Sequence, residues 1–373
     1  MPKTNNKVKS LYIHIPFCDH ICAYCDFHKL IYNEKFAKNY VDVLLNEIDS
    51  YNLESLSTIY IGGGTPTSLK DEDFEKLLKR CSSLLSDKYE FTVEANVENL
   101  TDKKLQIMKN YKVNRLSIGI ESTNDCVLNL INRHHSFLDA KDAILRARSF
   151  GFNNINVDLI FGLPRQNKEV LIEDLKNIIA LKTEHISIYS LIVSKGTIFY
   201  NKKIKELDED TNRQYYDLIL DTLRKNGYER YEISNFAKDH HYSKHNLVYW
   251  NDEEYVGVGL SASGYINNKR YRNTLNINEY LAGHYLNNQD IEIIDEKRHL
   301  EEYLMLKLRL EQGFDLSEFE NTFGFDFITK FKDVVNELTK NSLMIVTKNN
   351  ARLTDDGLMI LDNILLKFYK NID

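Results

Sequence analysis

A chain of 373 residues with 43% hydrophobic and 28% charged side chains exceeds one small domain and can bury a sizeable core. Its net charge of -7 argues against a general nucleic-acid partner, which would want a basic protein. No apolar run approaches the roughly 20 residues of a membrane span. The N-terminal MPKTNNKVK is a short basic tail without the apolar segment of a signal peptide, so a cytoplasmic setting is expected.

The first element is an apolar β-like run, residues 11–15, ended by Pro16. The loop after it holds three of the five cysteines, Cys18, Cys22 and Cys25, spaced C-x3-C-x2-C. An odd count without a secretory signal argues against a disulfide framework. Three thiolates on one loop can hold three irons of a four-iron cluster. Such clusters usually take four cysteines, so one iron is left open, the mark of a centre that binds a reactant. Zinc is the competing reading, with His14, His20 or His28 completing a Cys3His site. Cys81 and Cys126 fall on helical patterns and read as buried small hydrophobes.

Residues 33–50 have helical spacing, with Phe36, Tyr40, Val43, Leu44 and Ile48 on one side. A short strand at 58–61 ends in Gly62-Gly63-Gly64. Helices at 71–85, 101–111, 137–150, 168–181 and 210–226 then alternate with strands at 89–94, 115–120, 155–161 and 185–191. Six strands, each followed by a helix, predict a parallel α/β sheet or barrel. Each strand has one apolar face and one polar or small face: Leu116, Ile118 and Ile120, for example, oppose Ser117, Gly119 and Glu121. A parallel sheet buried on both faces reads as continuously apolar, and a closed barrel fills its interior with branched side chains. The polar face here predicts a wet or ligand-filled groove in an incomplete (β/α)6 barrel with an open side.

From Gly227 the rhythm breaks. Residues 228–250 are rich in tyrosine, histidine and asparagine, and 256–266 read as one irregular, glycine-punctuated strand. Further on come helical patterns at 297–310 and 327–340, a hairpin of 343–347 against 352–354 across Asn349-Asn350, and a last helix at 355–369. The expected division is a barrel over 1–226, a pocket-closing region over 227–295 and a C-terminal winged-helix-like α+β domain over 296–373.

Gly62-Gly63-Gly64-Thr65-Pro66-Thr67 lets backbone approach a ligand closely, and fits neither the P-loop nor the dinucleotide fingerprint. Glu94, Glu121 and Asp158 sit near strand C-termini, where barrel enzymes keep their sites. Their burial needs partners, for which Arg133 and cationic or hydroxyl-rich ligands are candidates. In His245-Asn246-Leu247-Val248-Tyr249-Trp250, histidine suits axial iron ligation and the aromatics suit a flat macrocycle. A His–Asn pair that closes a loop is the alternative, and His240 and His241 are exposed-looking substitutes.

The run YIHIPFC…C.YCDF resembles the radical S-adenosylmethionine (SAM) signature, with flanks similar to the oxygen-independent coproporphyrinogen III oxidase family. The resemblance covers most of the chain. It implies the radical-SAM partial barrel and a [4Fe-4S] cluster on Cys18, Cys22 and Cys25, whose open iron is chelated by the amino and carboxylate groups of SAM. GGGTPT resembles the family's SAM-binding loop, which assigns Gly63, Gly64 and Thr65. Tyr12, Glu94, Glu121, Arg133 and Asp158 match SAM-contacting positions, and Tyr24 an aromatic that packs near the cofactor. Position 121 is usually glutamine there; glutamate can accept from ribose hydroxyls but cannot donate. The oxidases carry another cysteine two residues past the third, where this chain has Phe27. Cys-Asp-Phe resembles instead the heme chaperone branch, as does the HNxxYW motif of His245, Asn246, Tyr249 and Trp250. The implied function is uptake of heme and its transfer to heme-accepting proteins, with a one-electron reductant if SAM is cleaved. The rivals are SAM-dependent oxidative decarboxylation of coproporphyrinogen III and a zinc-stabilised winged-helix binding module.

Overall fold

Side-chain alternation decides which way each strand faces. In a computed structural model describing residues 8–286 and 290–372, six strands pair in parallel and in sequence order. They are β1 (Ser10–Ile15), β2 (Leu56–Gly63), β3 (Leu85–Asn96), β4 (Arg115–Glu121), β5 (Ile155–Phe161) and β6 (His185–Ser190). Residues 1–7 of the basic tail lie outside the described residues. The apolar strand faces (Ile13, Ile61, Val93, Ile118, Val157 and Ile186 among them) are sealed in one core with Leu44, Leu77, Met108, Ile144, Ile178 and Leu223 of the helices. Five of those six helices start where the sequence supplies caps: side chains of Asn33, Thr101, Ser136, Asn167 and Asp208 each accept an N–H three residues on, whereas the helix of Leu77 starts without a side-chain cap. Among the described residues none is long and apolar enough to cross a membrane.

The sheet runs further than six strands. With β7 (Glu229–Glu232), β8 (Asn235–Ala237) and β9 (Val256–Val258), the order is β9-β1-β2-β3-β4-β5-β6-β8-β7. β9 joins β1 in parallel, whereas β8 joins β6 and β7 joins β8 antiparallel. Edges β9 and β7 do not pair with each other among the described residues, so the barrel stays open. The single irregular strand expected over 256–266 is two strands in different sheets. Gly259, at φ +103, turns the chain after β9, and Ser263–Ile266 then pairs with Lys269–Arg272. Glu47 ties this segment to the first helix, accepting from the Gly259 N–H (2.9 Å), the Tyr280 hydroxyl (2.6 Å) and Asn273 (2.6 Å).

Beyond residue 295 a second core forms around Phe314, Phe319, Phe327, Phe331 and Phe368. The hairpin is Met344–Val346 against Asn350–Leu353, with Phe314–Asp315 as a third strand, and the last helix is broken at Ile360. Ion pairs join this unit to the barrel: Arg213 to Asp356 (2.7 Å), Arg224 to Asp355 (2.7 Å), and buried Arg230 to both Glu311 and Asp355. Removing Arg230 leaves Glu311 and Asp355 to the half-exposed Arg224 alone, without their buried shared cation. Arg230→Ala is expected to cost about 2 kcal/mol in urea denaturation, less than a fully buried pair because both carboxylates keep contact with water. An unmoved midpoint would show that docking does not depend on this cluster.

Candidate functional site

β1 stops at Pro16, which has no N–H to continue the ladder. Phe17–Cys18 then pairs with Leu30–Ile31 and pinches off the loop bearing Cys22 and Cys25. The Ala23 N–H donates to Ile131 O (2.9 Å) and Asn132 Nδ2 to Ile21 O (2.8 Å), docking the loop on the segment beyond β4. The glycine loop is clasped against the same turn: Gly64 N donates to Ile15 O and Thr65 N to Phe17 O, both at 2.7 Å. Thr65 Oγ1 reaches Cys18 Sγ at 3.5 Å. A Cβ on Gly63 (φ +107) would stand 2.4 Å from the His14 ring, and one on Gly64 2.8 Å from Phe17 O, so only glycine allows this approach.

All three loop cysteines line one cavity of about 370 Å³ inside the open sheet. The polar strand face supplies much of the rest of its wall, with Tyr60, Glu94, Asn96, Arg115, Ser117, Gly119, Glu121, Asn156, Asp158, Ser187 and Tyr189. Glu94 accepts from the Tyr60 hydroxyl (2.6 Å) and the Gly63 N–H (3.0 Å), bracing the glycine loop. Arg133 donates to Asn96 Oδ1 (2.7 Å), Gly119 O (2.7 Å) and Glu121 Oε1 (2.9 Å). Glu121 is in the left-handed region (φ 69) at a register shift of β4. The turn after it is held by buried Asp174, which accepts from Ser122 Oγ (3.1 Å), Thr123 N (2.6 Å) and Thr123 Oγ1 (2.7 Å).

Of the expected site residues, Tyr24, Gly63, Gly64, Thr65, Glu94, Glu121, Arg133, Asp158 and the cysteines line the cavity, and so does Asn246. Tyr12 stands behind the wall, its hydroxyl 3.0 Å from His14 Nδ1 and its ring stacked on Tyr60. His14 is committed on both nitrogens, the other lying 3.0 Å from His28 O, which removes it as a zinc ligand. His245 is likewise engaged twice, by Thr58 Oγ1 and by the Tyr249 hydroxyl, each at 2.8 Å. Trp250 packs under Arg309, outside the cavity wall. His240 is exposed and His241 half-buried against Lys238 O. Cys81 is buried as expected, but Cys126 is exposed: its short helix, Asp125–Leu130, buries Val127 and Leu128 instead.

Residues 12–178 match the radical SAM superfamily and 294–360 the HemN C-terminal domain. The chain is 37% identical over 369 residues to the heme chaperone HemW of Lactococcus lactis, covering 97% of each protein. It is 36% identical over 375 residues to the heme chaperone HemW of Bacillus subtilis, covering 97% of this chain and 99% of that one. The chain belongs to the HemW family of radical SAM proteins. Its fold is that of Escherichia coli coproporphyrinogen III oxidase (HemN), a radical SAM enzyme, with TM-score 0.84 at 23% identity over 97% of this chain and 90% of that one. A radical SAM domain implies a [4Fe-4S] cluster and SAM. The donor set of this HemW-family chain fits both, with three thiols at one end, bare glycine backbone beside them and buried carboxylates opposite.

Burial dominates the electrostatics of this HemW-family site. It pushes the Cys25 thiol up to about 11 and raises Cys18, so binding iron would release protons. Burial also raises Glu94; on Asp158 it acts with the charges of Glu121 and Glu94 and pushes the carboxyl up to about 7. A carboxyl raised above its unfolded value holds its proton more tightly in the native state. Its stabilisation is complete below the unfolded value, near 3.8 for aspartate, and disappears as pH rises through about 7. Glu47, pushed up to about 7 by burial, acts with the same sign. The ligand-free chain should therefore lose stability between pH 5 and 7, by up to about 1.4 kcal/mol per pH unit for each group. Asp158→Asn should flatten that slope in melts at stepped pH; an unchanged slope would clear Asp158 of the effect.

Strand alternation places Tyr60 and Asn156 on the polar face, but neither they nor Asn96 and Arg115 are among the expected site residues. Arg115 was within reach, because it shares strand parity with Ser117, Gly119 and Glu121. Asn96, by contrast, matters through contacts to Thr65 (3.1 Å) and Arg133, both distant in sequence.

Proposed function

We propose that this chain is a heme chaperone that holds a [4Fe-4S] cluster on Cys18, Cys22 and Cys25, binds SAM beside it, and passes heme to acceptor proteins in the cytoplasm. The observation that carries the reading is similarity over nearly the whole chain to proteins named heme chaperone HemW. When bound, the cluster supplies an iron with an open coordination position and a store for one electron from an external reductant. The 63–65 backbone would meet SAM, with Glu94, Glu121 and Asp158 accepting its donors and Arg133 fixing Glu121. An apolar lip of Phe27 and Ile192, 65% and 68% exposed at the cavity beside the cysteines, suits the edge of a flat macrocycle. Asn246 is the HNxxYW residue that would meet a ligand in the cavity; His245 would reach iron only by giving up Thr58 and Tyr249. On this reading residues 1–226 carry the cluster and SAM, 227–295 close the cavity and 296–373 form a docking unit.

The test is anaerobic reconstitution followed by iron, sulfide and zinc analysis, spectra with and without SAM, heme titration and a coproporphyrinogen assay. Iron with sulfide, a SAM-dependent spectral change and stoichiometric heme binding without turnover are expected. Catalytic consumption of coproporphyrinogen III would replace this reading with the oxidase one, and zinc without sulfide would end both.

A further inference from the structure

Arg115 opens β4 and lines the cavity, yet it is only 1% exposed. Its Nε is sealed from solvent with no hydrogen-bond partner, and among the described residues no carboxylate lies within ion-pair distance of the guanidinium. An arginine is always charged, and a buried unpaired charge is costly, so a structural arginine would be paired. The wall's other charges are already engaged. Glu94 is held by Tyr60 and Gly63, Glu121 by Arg133, and Asp158 by Asn156 (2.8 Å) and Ser117 (3.3 Å). Of the other cations in the wall, Arg133 spends its two terminal nitrogens on Asn96, Gly119 and Glu121, although its Nε is buried without a partner like that of Arg115, and Lys29 bonds the carbonyl of Cys25. Arg115 is the cation left without an ion-pair partner, although Glu94 feels its charge from a distance.

Its place along the strand says whose anion is missing. Arg115 and Glu121 are the two ends of β4, roughly 20 Å apart at the usual strand rise. Glu121 lies at the cysteine end, where SAM's own carboxylate would sit on the open iron. An acid reaching Arg115 therefore belongs to a second ligand that fills the inner cavity. A guanidinium fork matches a carboxylate with two parallel hydrogen bonds. We propose that Arg115 is a carboxylate subsite at the inner end of the cavity, and that it takes a propionate of the tetrapyrrole. This rests on the heme reading above and adds to it the polar anchor of the ligand.

The test compares wild type, Arg115→Gln and Arg115→Lys as anaerobically reconstituted full chains. Each is titrated with heme, with heme dimethyl ester, which lacks the free acids, and with SAM, and each is melted without ligand. Heme affinity should fall tenfold or more in Arg115→Gln and recover partly in Arg115→Lys. The ester should bind wild type and Arg115→Gln alike. Without ligand, Arg115→Gln should melt no lower than wild type, since it removes an unpaired buried charge. A lower melting temperature marks a structural arginine and overturns the proposal. A tenfold loss confined to SAM overturns the proposal and gives the arginine to the nucleoside. Unchanged heme and SAM affinities overturn the subsite and leave the chaperone reading standing. Should wild type bind no heme at all, the chaperone reading falls and the propionate subsite with it.

Discussion

Replacing any one of Cys18, Cys22 or Cys25 by alanine is expected to take iron from about four per reconstituted chain to near background. The expectation follows from the need for three thiolates, which no neighbouring group replaces in kind. His14 has both nitrogens in use, and His20, between Cys18 and Cys22 in the cavity wall, offers a neutral nitrogen in place of a thiolate. Cys81 is sealed in the helical core, and Cys126 is exposed on a helix that leaves it outside the cavity wall. The loop itself should survive, because backbone bonds from Ala23 and Leu30 hold it without the thiols. Far-UV circular dichroism of the variants should thus match wild type while the brown colour and any SAM-dependent spectrum are lost. Cys81→Ala is the control and should keep its iron. Full iron and sulfide in Cys22→Ala would sink the assignment.

Arg133→Met is expected to be the most damaging change in the cavity wall, at about 3 kcal/mol in denaturant titrations. The guanidinium satisfies three acceptors on two neighbouring strands, Asn96 on β3 and Gly119 O and Glu121 on β4. Without it Glu121 keeps a buried charge near Asp158, whose carboxyl burial already raises and the charges of Glu121 and Glu94 raise further. SAM affinity should drop at least tenfold, since the same side chain sets where Glu121 and Asn96 stand. Glu121→Gln should cost less than Arg133→Met, because an amide oxygen can still accept the same N–H, although Arg133 then loses its carboxylate partner. This pair of results would also account for a family position usually filled by glutamine carrying glutamate here. Equal damage from both variants would mean that the carboxylate charge, not Arg133's hydrogen bonding, holds the wall.

Much of this was legible because it is local. Cysteine spacing sets the donor set of one loop, and strand alternation of period two fixes which residues face inward before any partner is known. That is why Glu94, Glu121 and Asp158 could be placed on one inner face, and why the six-strand α/β core with its open side could be expected. Helix starts were equally readable, since a cap is a contact over three residues. What failed was decided at longer range. The run 256–266 splits because Gly259 and the neighbouring β1 send its halves to different sheets.

The sequence by itself determined the chemistry available: three thiols, a bare glycine turn and a polar strand face, all set by spacing within a few residues. Only the tertiary structure decided which of those groups are free to act. It binds His14 and His245 on both nitrogens, pairs Glu121 with Arg133 and leaves Arg115 bare. The physical reason is that a buried polar group is defined by its hydrogen-bond partners, and those partners come from strands and loops tens to hundreds of residues away.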